Sequence, residues 1–181
     1  FAFVIVTIYL LLKGIRAKMS FLGKVKKKLR NGSWYPFYNT FYEKNNLDPH
    51  MILLESRSGK ALESNILSLL KELCQEPYRS FTLVLSVHRD SENEIKEKLQ
   101  KNSIQGVHFV RTGSVAYYHA LSRAGYLVND TSFPGRFIKK EGQIYLNTWH
   151  GTPLKKMGRD NRPEMVTMGN VQRNLLDSDY L

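Results

Sequence analysis

Cysteine is almost absent from this sequence, and its scarcity excludes several classes of protein. The 181 residues include one cysteine, Cys74. A single thiol cannot form a disulfide framework within the chain or build a cysteine-based metal site. Because Cys74 lies inside the helical pattern "NILSLLKELCQE", we predict a buried structural thiol in a reducing, cytoplasmic location.

An uninterrupted apolar run long enough to cross a membrane is also missing. The run "FAFVIVTIYLLL" has twelve residues, whereas a transmembrane helix needs about 20. Either it is the end of a span that begins upstream of Phe1, or it is an interfacial or core helix. A signal peptide is disfavoured because its basic residues would precede the apolar run. Since the chain begins with Phe and "DSDYL" is typical of a strand beginning, we expect a segment of a longer protein.

Acidic residues are missing from one stretch that holds most of the excess positive charge. Of the net charge of +11, eight charges lie between residues 13 and 30. One basic block beside an apolar segment indicates an anionic membrane surface, with no nucleic-acid partner. The predicted membrane-contacting residues are Lys13, Arg16, Lys18, Lys24, Lys26, Lys27, Lys28, Arg30 and the nearby Trp34.

The same stretch has the spacing of an amphipathic helix. Its apolar residues recur every three or four positions, and its other faces are mostly basic. The aromatic segment "SWYPFYNTFY" follows, whose rings either pack the helix onto the domain or lie at a membrane interface. We therefore expect residues 1–42 to attach the protein, peripherally or as an anchor, to the cytoplasmic face of the cell membrane, and residues 43–181 to form a domain.

The rest of the chain alternates between strand and helix patterns. Helical spacing is found in residues 61–76, in 91–102 and in 114–125, where Gly125 is expected to end the helix. This order predicts an α/β fold with a mainly parallel, Rossmann-like sheet. The predicted strands are Met51–Ser56, Phe81–His88, Gly106–Gly113, Tyr126–Asp130 and Gln143–Trp149.

Ligands of such sheets bind at the carboxyl ends of the strands. The loop "RSGKA" after the first strand is not a phosphate-binding Walker motif, because Leu54 and Ala61 replace its required glycine and hydroxyl residue, and we predict a solvated turn. In "RTGS", Gly113 or Ser114 caps a helix whose N–H groups either contact a phosphate or are simply capped. Histidines 88, 108 and 119 lack metal-ligand spacing, so we predict no metal site.

The segment "WHGTPLKKMG" follows the fifth predicted strand. Thr152 can cap a short helix that has Pro153 at its first position. His150 then precedes a helix N-terminus, where the dipole favours the neutral imidazole that can take a proton from a hydroxyl group. The alternative is a histidine held in a tight turn, and the spacing alone leaves both open.

The stretch "NDTSFPGRFIKKEGQIYLNTWHGTPLKKMGRD", residues 129–160, resembles the signature region of the CDP-glycerol glycerophosphotransferase family, which includes teichoic acid primases and polymerases and CDP-ribitol ribitolphosphotransferases. The resemblance covers roughly residues 51–181. It implies the N-terminal, acceptor-side half of a GT-B fold, preceded by membrane-associating helices. The family's proposed general base falls on His150.

The resemblance also implies substrates and partners. The donor is CDP-glycerol or CDP-ribitol, there is no cofactor, and the acceptor is a lipid-linked teichoic acid, with the choice of polyol and any homo-oligomer left open. Because donor contacts lie mainly in the family's C-terminal domain, this segment alone is expected to be inactive. The candidate substrate-binding residues are Arg111, Gly113, Ser114, Asp130, Arg136, Trp149, Gly151, Thr152 and Lys155.

Two other functions are compatible with the same features. One is a GT-B glycosyltransferase that uses a sugar nucleotide and a lipid-linked acceptor. The other is a non-catalytic membrane scaffold that retains the fold.

Overall fold

The five predicted strands form one parallel sheet. The computed structural model describes residues 35–135, 137–149 and 168–181. The strand order is β3-β2-β1-β4-β5, and every neighbouring pair is parallel. The predicted strand-helix alternation is therefore confirmed. The strands are β1 (Asp48–Glu55), β2 (Thr82–Val87), β3 (Val107–Arg111), β4 (Ala124–Asn129) and β5 (Ile144–Asn147).

Helices cover both faces of this sheet. The bounds are α1 (Tyr35–Lys44), α2 (Ser64–Leu73), α3 (Glu92–Lys101), α4 (Val115–Arg123) and α5 (Met168–Asp177). On one face, α2 and α3 bury Ile66, Leu70 and Ile95 against β1 and β2. On the other, α1 and α4 bury Tyr38 and Tyr117 against a second apolar cluster. Each helix face follows from apolar residues three or four positions apart, which align on one side of a helix.

The strand order reverses between β1 and β4. The chain moves outward from β1 through β2 to β3 with α2 and α3 on one face, and then α4 returns it across the other face to β4. In open α/β sheets, ligands bind at such a switch point, outside the carboxyl ends of the strands. The fold therefore directs attention to the loops after β1 and β4.

The prediction that Gly125 ends the third helix is wrong. The helix α4 ends at Arg123, and Gly125 is the second residue of β4. A Cβ atom at this position would lie 2.8 Å from the carbonyl oxygen of Asp48, in β1. Glycine is therefore present because β1 and β4 approach each other closely, which is the other common reason for a glycine at an element boundary.

Part of the aromatic segment packs onto the domain. The ring of Tyr38 is 3% exposed, and its hydroxyl donates to the carbonyl oxygen of Ile138 at 2.8 Å. Tyr38 also contacts Tyr118, with ring centroids 5.9 Å apart, and Phe41 lies edge-on to His119 at 5.3 Å. Of the two roles predicted for this segment, these rings have the packing role. The apolar and basic segments before Tyr35 lie outside the described residues.

The last residues extend the sheet beyond β5. Tyr180 forms a parallel bridge with Leu146, which agrees with the strand-like pattern of "DSDYL". Among the helices of the described ranges, none combines the length and the apolar character needed to cross a bilayer.

Candidate functional site

A row of polar side chains crosses the sheet near its carboxyl edge. Glu55 is in register with Ser86 on one side and with Asn129 on the other, and Asn129 is in register with Asn147. All four residues are at most 1% exposed. The row two residues earlier is apolar and includes Leu53 and Leu127. Register partners in a parallel sheet share a face, so the polar row lies directly above the α4-side core.

Glu55 is the ionisable member of this row. Burial raises its pKa to about 7, the neighbouring hydroxyls of Ser86 and Tyr117 partly offset that effect, and the carboxylate of Asp130 adds to it. Within the described residues, Asn129 Nδ2 in this row has no hydrogen-bond partner. Glu55 therefore titrates near neutral pH beside the switch point.

Asp130 joins the two loops that flank the switch point. Its Oδ2 accepts the Ser56 hydroxyl at 2.7 Å, and its Oδ1 accepts the backbone N–H of Arg57 at 2.8 Å. The Ser56 hydroxyl in turn accepts the N–H of Glu63 at 3.2 Å, just before α2. Asp130 is 4% exposed. Its visible contacts fix loop geometry, and the substrate contact expected from the sequence stays a prediction.

The loop after β1 has an unusual backbone. Arg57, Ser58 and Gly59 have φ values of 49°, 54° and 77°, in the left-handed region that costs a non-glycine residue about 1 kcal/mol or more. The loop is a largely solvated turn, as predicted, since Arg57, Ser58 and Lys60 are exposed and Gly59 alone among these four residues is buried. A Cβ atom on Gly59 would lie 2.2 Å from Thr112 Oγ1, so the loops after β1 and β3 are in direct contact.

The loop after β5 is held against the end of β4. The N–H of Thr148 donates to the carbonyl oxygen of Asn129 at 2.8 Å. Asn147 Oδ1 accepts the backbone N–H of Trp149 at 2.9 Å. Trp149 is half-buried and has a φ of 49°. The chain therefore turns sharply just before His150.

The loop after β3 presents the predicted helix cap. Ser114 is the N-cap of α4 and accepts the N–H of Tyr117 at 3.2 Å. Gly113 has a φ of 73°, and no atom lies within 4 Å of the position its Cβ would occupy. Arg111 is exposed, with its guanidinium 3.8 Å from Glu92. This edge thus places a cation and open space at Gly113 beside the N-terminus of α4, an arrangement that suits an anion.

The structure brings the predicted residues Arg111, Gly113, Ser114, Asp130 and Trp149 to one edge of the sheet. Outside the described residues lie the predicted base His150, the substrate-binding candidates Arg136, Gly151, Thr152 and Lys155, and the membrane residues Lys13, Arg16, Lys18, Lys24, Lys26, Lys27, Lys28, Arg30 and Trp34. No group of His, Cys, Asp or Glu in the described ranges has the arrangement of a metal site.

Sequence reasoning missed Glu55, Asn129 and Asn147. Each is the polar last residue of its strand and directly follows an apolar run. That position is commonly polar in any protein, so the pattern alone carried little information. Only the register of the strands shows that the three side chains lie in one row.

The chain matches the family described as CDP-Glycerol:Poly(glycerophosphate) glycerophosphotransferase over residues 37–181. A teichoic acid poly(glycerol phosphate) polymerase of Staphylococcus epidermidis is 31% identical over 123 residues, 68% of this chain and 16% of the polymerase. A teichoic acid glycerol-phosphate transferase of Staphylococcus aureus is 28% identical over 137 residues, 75% of this chain and 33% of the transferase. This chain therefore spans a minor part of each relative.

The fold is similar to that of solved wall teichoic acid polymerase TagF structures. One TagF structure aligns with 94% of this chain and 41% of its own, with a TM-score of 0.65 and 25% identity. A TagF variant soaked with CDPG aligns over the same shares, with a TM-score of 0.67 and 26% identity.

Proposed function

The chain belongs to the CDP-glycerol:poly(glycerophosphate) glycerophosphotransferase family, and we propose that the protein transfers glycerol phosphate or ribitol phosphate from a CDP-activated donor to a hydroxyl group of a membrane-linked teichoic acid acceptor. The described residues form part of the N-terminal, acceptor-side half of a GT-B enzyme. The parallel α/β sheet and its similarity to TagF support this assignment.

The observation that carries the proposal is the convergence of loops at the switch point. Asp130 fastens the loop after β1, and Thr148 fastens the loop after β5 to the end of β4. Trp149 ends the described part of this last loop, and His150 is the next residue in the chain. The segment with the proposed base thus starts from the edge at which α/β sheets bind ligands.

In the proposed reaction, the acceptor hydroxyl oxygen attacks the phosphorus that carries the polyol. A new O–P bond forms, the bond from that phosphorus to the CMP oxygen breaks, and CMP leaves. His150 takes the proton of the acceptor hydroxyl as a general base. Phosphoryl transfer depends mainly on positioning and charge stabilisation. Arg111 and the N-terminus of α4 supply positive potential on this side of the site.

The acceptor is attached to a lipid, so the enzyme must work at a membrane surface. The basic residues between Lys13 and Arg30 supply a local positive patch for anionic lipids. This basic patch supports a reaction at the cytoplasmic face of the cell membrane. The donor needs no separate cofactor, because the cytidine diphosphate linkage already activates the transferred group.

The test uses the full-length protein with a membrane-linked acceptor and labelled CDP-glycerol, CDP-ribitol or a UDP-sugar. We expect transfer from one of the CDP-polyols and a loss of at least a hundredfold in rate for His150→Ala. The matched control is His108→Ala, because His108 is exposed on β3. Transfer from the UDP-sugar alone would instead identify a glycosyltransferase. Activity unchanged in His150→Ala would exclude this residue as the base.

A further inference from the structure

Asn147 occupies a special position at the carboxyl end of β5. Its side chain is 0% exposed and bonds two different loops. Its Oδ1 accepts the N–H of Trp149 at 2.9 Å, and its Nδ2 donates to the carbonyl oxygen of Thr131 at 2.9 Å. One side chain therefore joins the loop after β5 to the loop after β4 at the switch point.

The partners of Asn147 fix the orientation of its amide group. A backbone N–H can only donate and a carbonyl oxygen can only accept, so Oδ1 must face Trp149 and Nδ2 must face Thr131. Nδ2 also lies 3.2 Å from the hydroxyl of Tyr145, which donates to Asn129 Oδ1 at 2.9 Å. A flipped amide would lose the bonds to Trp149 and Thr131, so these two partners fix one arrangement of the side chain.

The bond to Trp149 determines how the chain leaves the sheet. Trp149 has a φ of 49°, a conformation that a non-glycine residue adopts only when its surroundings impose it. An asparagine side chain that accepts the N–H two residues later forms an Asx-turn, which fixes the orientation of the peptide group between Thr148 and Trp149. The bond from Thr148 N–H to the carbonyl oxygen of Asn129 holds the preceding residue. Asn147 therefore holds the peptide group at which the bend at Trp149 begins.

We propose that Asn147 is a positioning residue of the transferase site, which acts by locking the loops after β4 and β5 together and so setting the backbone direction at Trp149. The proposal rests on the proposed function, in which the following residue, His150, is the base. Asn147 is buried beneath the loop, so it acts through Trp149 rather than by touching substrate. A misplacement of about 1 Å in a reacting group can lower a rate by about a hundredfold.

The chain offers a matched control for this proposal. Asn174, in α5, is 2% exposed and contacts the same Tyr145 hydroxyl at 3.4 Å. Its amide bonds both backbone groups of Phe133. Asn174→Ala therefore disturbs the same buried network without removing the bond to Trp149.

The experiment compares Asn147→Ala, Asn147→Ser and Asn174→Ala in the full-length protein. Hydrogen exchange of peptides containing Trp149 is measured first, because it requires no activity. We expect the Trp149 amide to exchange at least tenfold faster in Asn147→Ala, with little change in Asn174→Ala. Serine can accept the same N–H through a weaker turn, so Asn147→Ser should show an intermediate increase in exchange. If Asn147→Ala does not fold, Asn147→Ser provides the test.

Transfer kinetics with CDP-glycerol and CDP-ribitol then separate positioning from binding. We expect kcat to fall tenfold to a hundredfold in Asn147→Ala with KM within twofold, a smaller fall in Asn147→Ser, and no further loss when Asn147→Ala is added to His150→Ala. If Asn147→Ala keeps a kcat within twofold of wild type, or if its Trp149 amide exchanges at the wild-type rate, Asn147 is not a positioning residue. An active wild type would in that case still be a transferase. A wild type that uses neither donor would overturn the proposed function, and the catalytic role of Asn147 with it.

Discussion

The carboxylate of Asp130, after β4, accepts the backbone N–H of Arg57, after β1, at 2.8 Å. This bond crosses the switch point of the sheet and holds a residue whose φ is 49°. The backbone of the loop after β1 is therefore held in part by a residue that lies 73 positions later in the sequence.

Removal of the Asp130 carboxylate should loosen this edge of the sheet. Asp130→Ala deletes two hydrogen bonds to a buried charged group, and we expect a loss of about 3 kcal/mol of stability. Hydrogen exchange of the amides in β1 and β4 of the full-length protein measures the loss. The control is Asp90→Ala, because the Asp90 side chain is 83% exposed and should contribute less than about 0.5 kcal/mol. Equal effects of the two substitutions would show that Asp130 does not hold the loop.

The contact of Gly59 with Thr112 predicts a steric effect. Gly59→Ala would place a methyl group 2.2 Å from Thr112 Oγ1 and 2.8 Å from the backbone nitrogen of His88. Gly113→Ala is the matched control, because Gly113 has a similar φ but open space around it. We expect the control to lose about 1 to 2 kcal/mol from backbone strain alone, and Gly59→Ala to lose about 2 kcal/mol more. Pulse proteolysis across a urea series measures both, and equal losses would contradict the predicted overlap.

Glu55 should make stability depend on pH. Its pKa is about 7 in the folded protein against an ordinary 4.5, so the folded state binds the proton more tightly. The proton on Glu55 therefore stabilises the folded state fully below about pH 4.5, and this stabilisation is lost as the pH rises through about 7. The loss between pH 4 and pH 8 is about 3 kcal/mol.

Glu55→Gln has no carboxyl to ionise, so the variant should gain stability relative to wild type as the pH rises across this interval. Chemical denaturation at pH 4, 6 and 8 provides the comparison. Glu94→Gln, exposed in the first turn of α3, is the control and should show no such trend. A constant difference between Glu55→Gln and wild type would mean that Glu55 does not titrate in this range.

The basic stretch near the N-terminus predicts salt-sensitive membrane binding. Each basic residue near an anionic surface contributes on the order of 1 kcal/mol. Replacing Lys24, Lys26, Lys27 and Lys28 by alanine should therefore weaken binding by about a thousandfold. Co-sedimentation of the full-length protein with anionic and zwitterionic vesicles measures the change. The control replaces four lysines elsewhere, namely Lys60, Lys71, Lys98 and Lys101. If both quadruple variants bind equally well, the N-terminal stretch is not the membrane contact.

The strands and helices were predictable because their signals are local. Apolar runs such as those ending at Glu55 and Asn129 mark buried parallel strands, and Ser114 caps α4 as its sequence indicates. Gly125 was misassigned because the close approach of β1 and β4 depends on a distant pairing. A glycine at a helix end and a glycine at a tight strand contact have the same local appearance.

The candidate site was only partly predictable because its geometry depends on register. The sequence places Arg111, Gly113 and Trp149 at strand ends, and the structure agrees. It does not show that Asn147 reaches Thr131, or that Asp130 reaches Arg57. These contacts join residues from different strand-end loops, and nothing in the local pattern of either loop indicates the partner.

The bridge between Leu146 and Tyr180 affects how the sheet can meet other polypeptides. On the side away from β4, the backbone of Tyr145 bonds Asp179, and the N–H of Asn147 donates to the carbonyl oxygen of Tyr180. Within the described residues, β3 has a strand neighbour on one side only. In aggregation or in recognition, a strand from another molecule therefore cannot pair with β5, whose edge is covered. Among the described residues, the free edge for such pairing is that of β3. Because β3 has five residues and ends in Arg111, it is a short, charged template that resists such pairing.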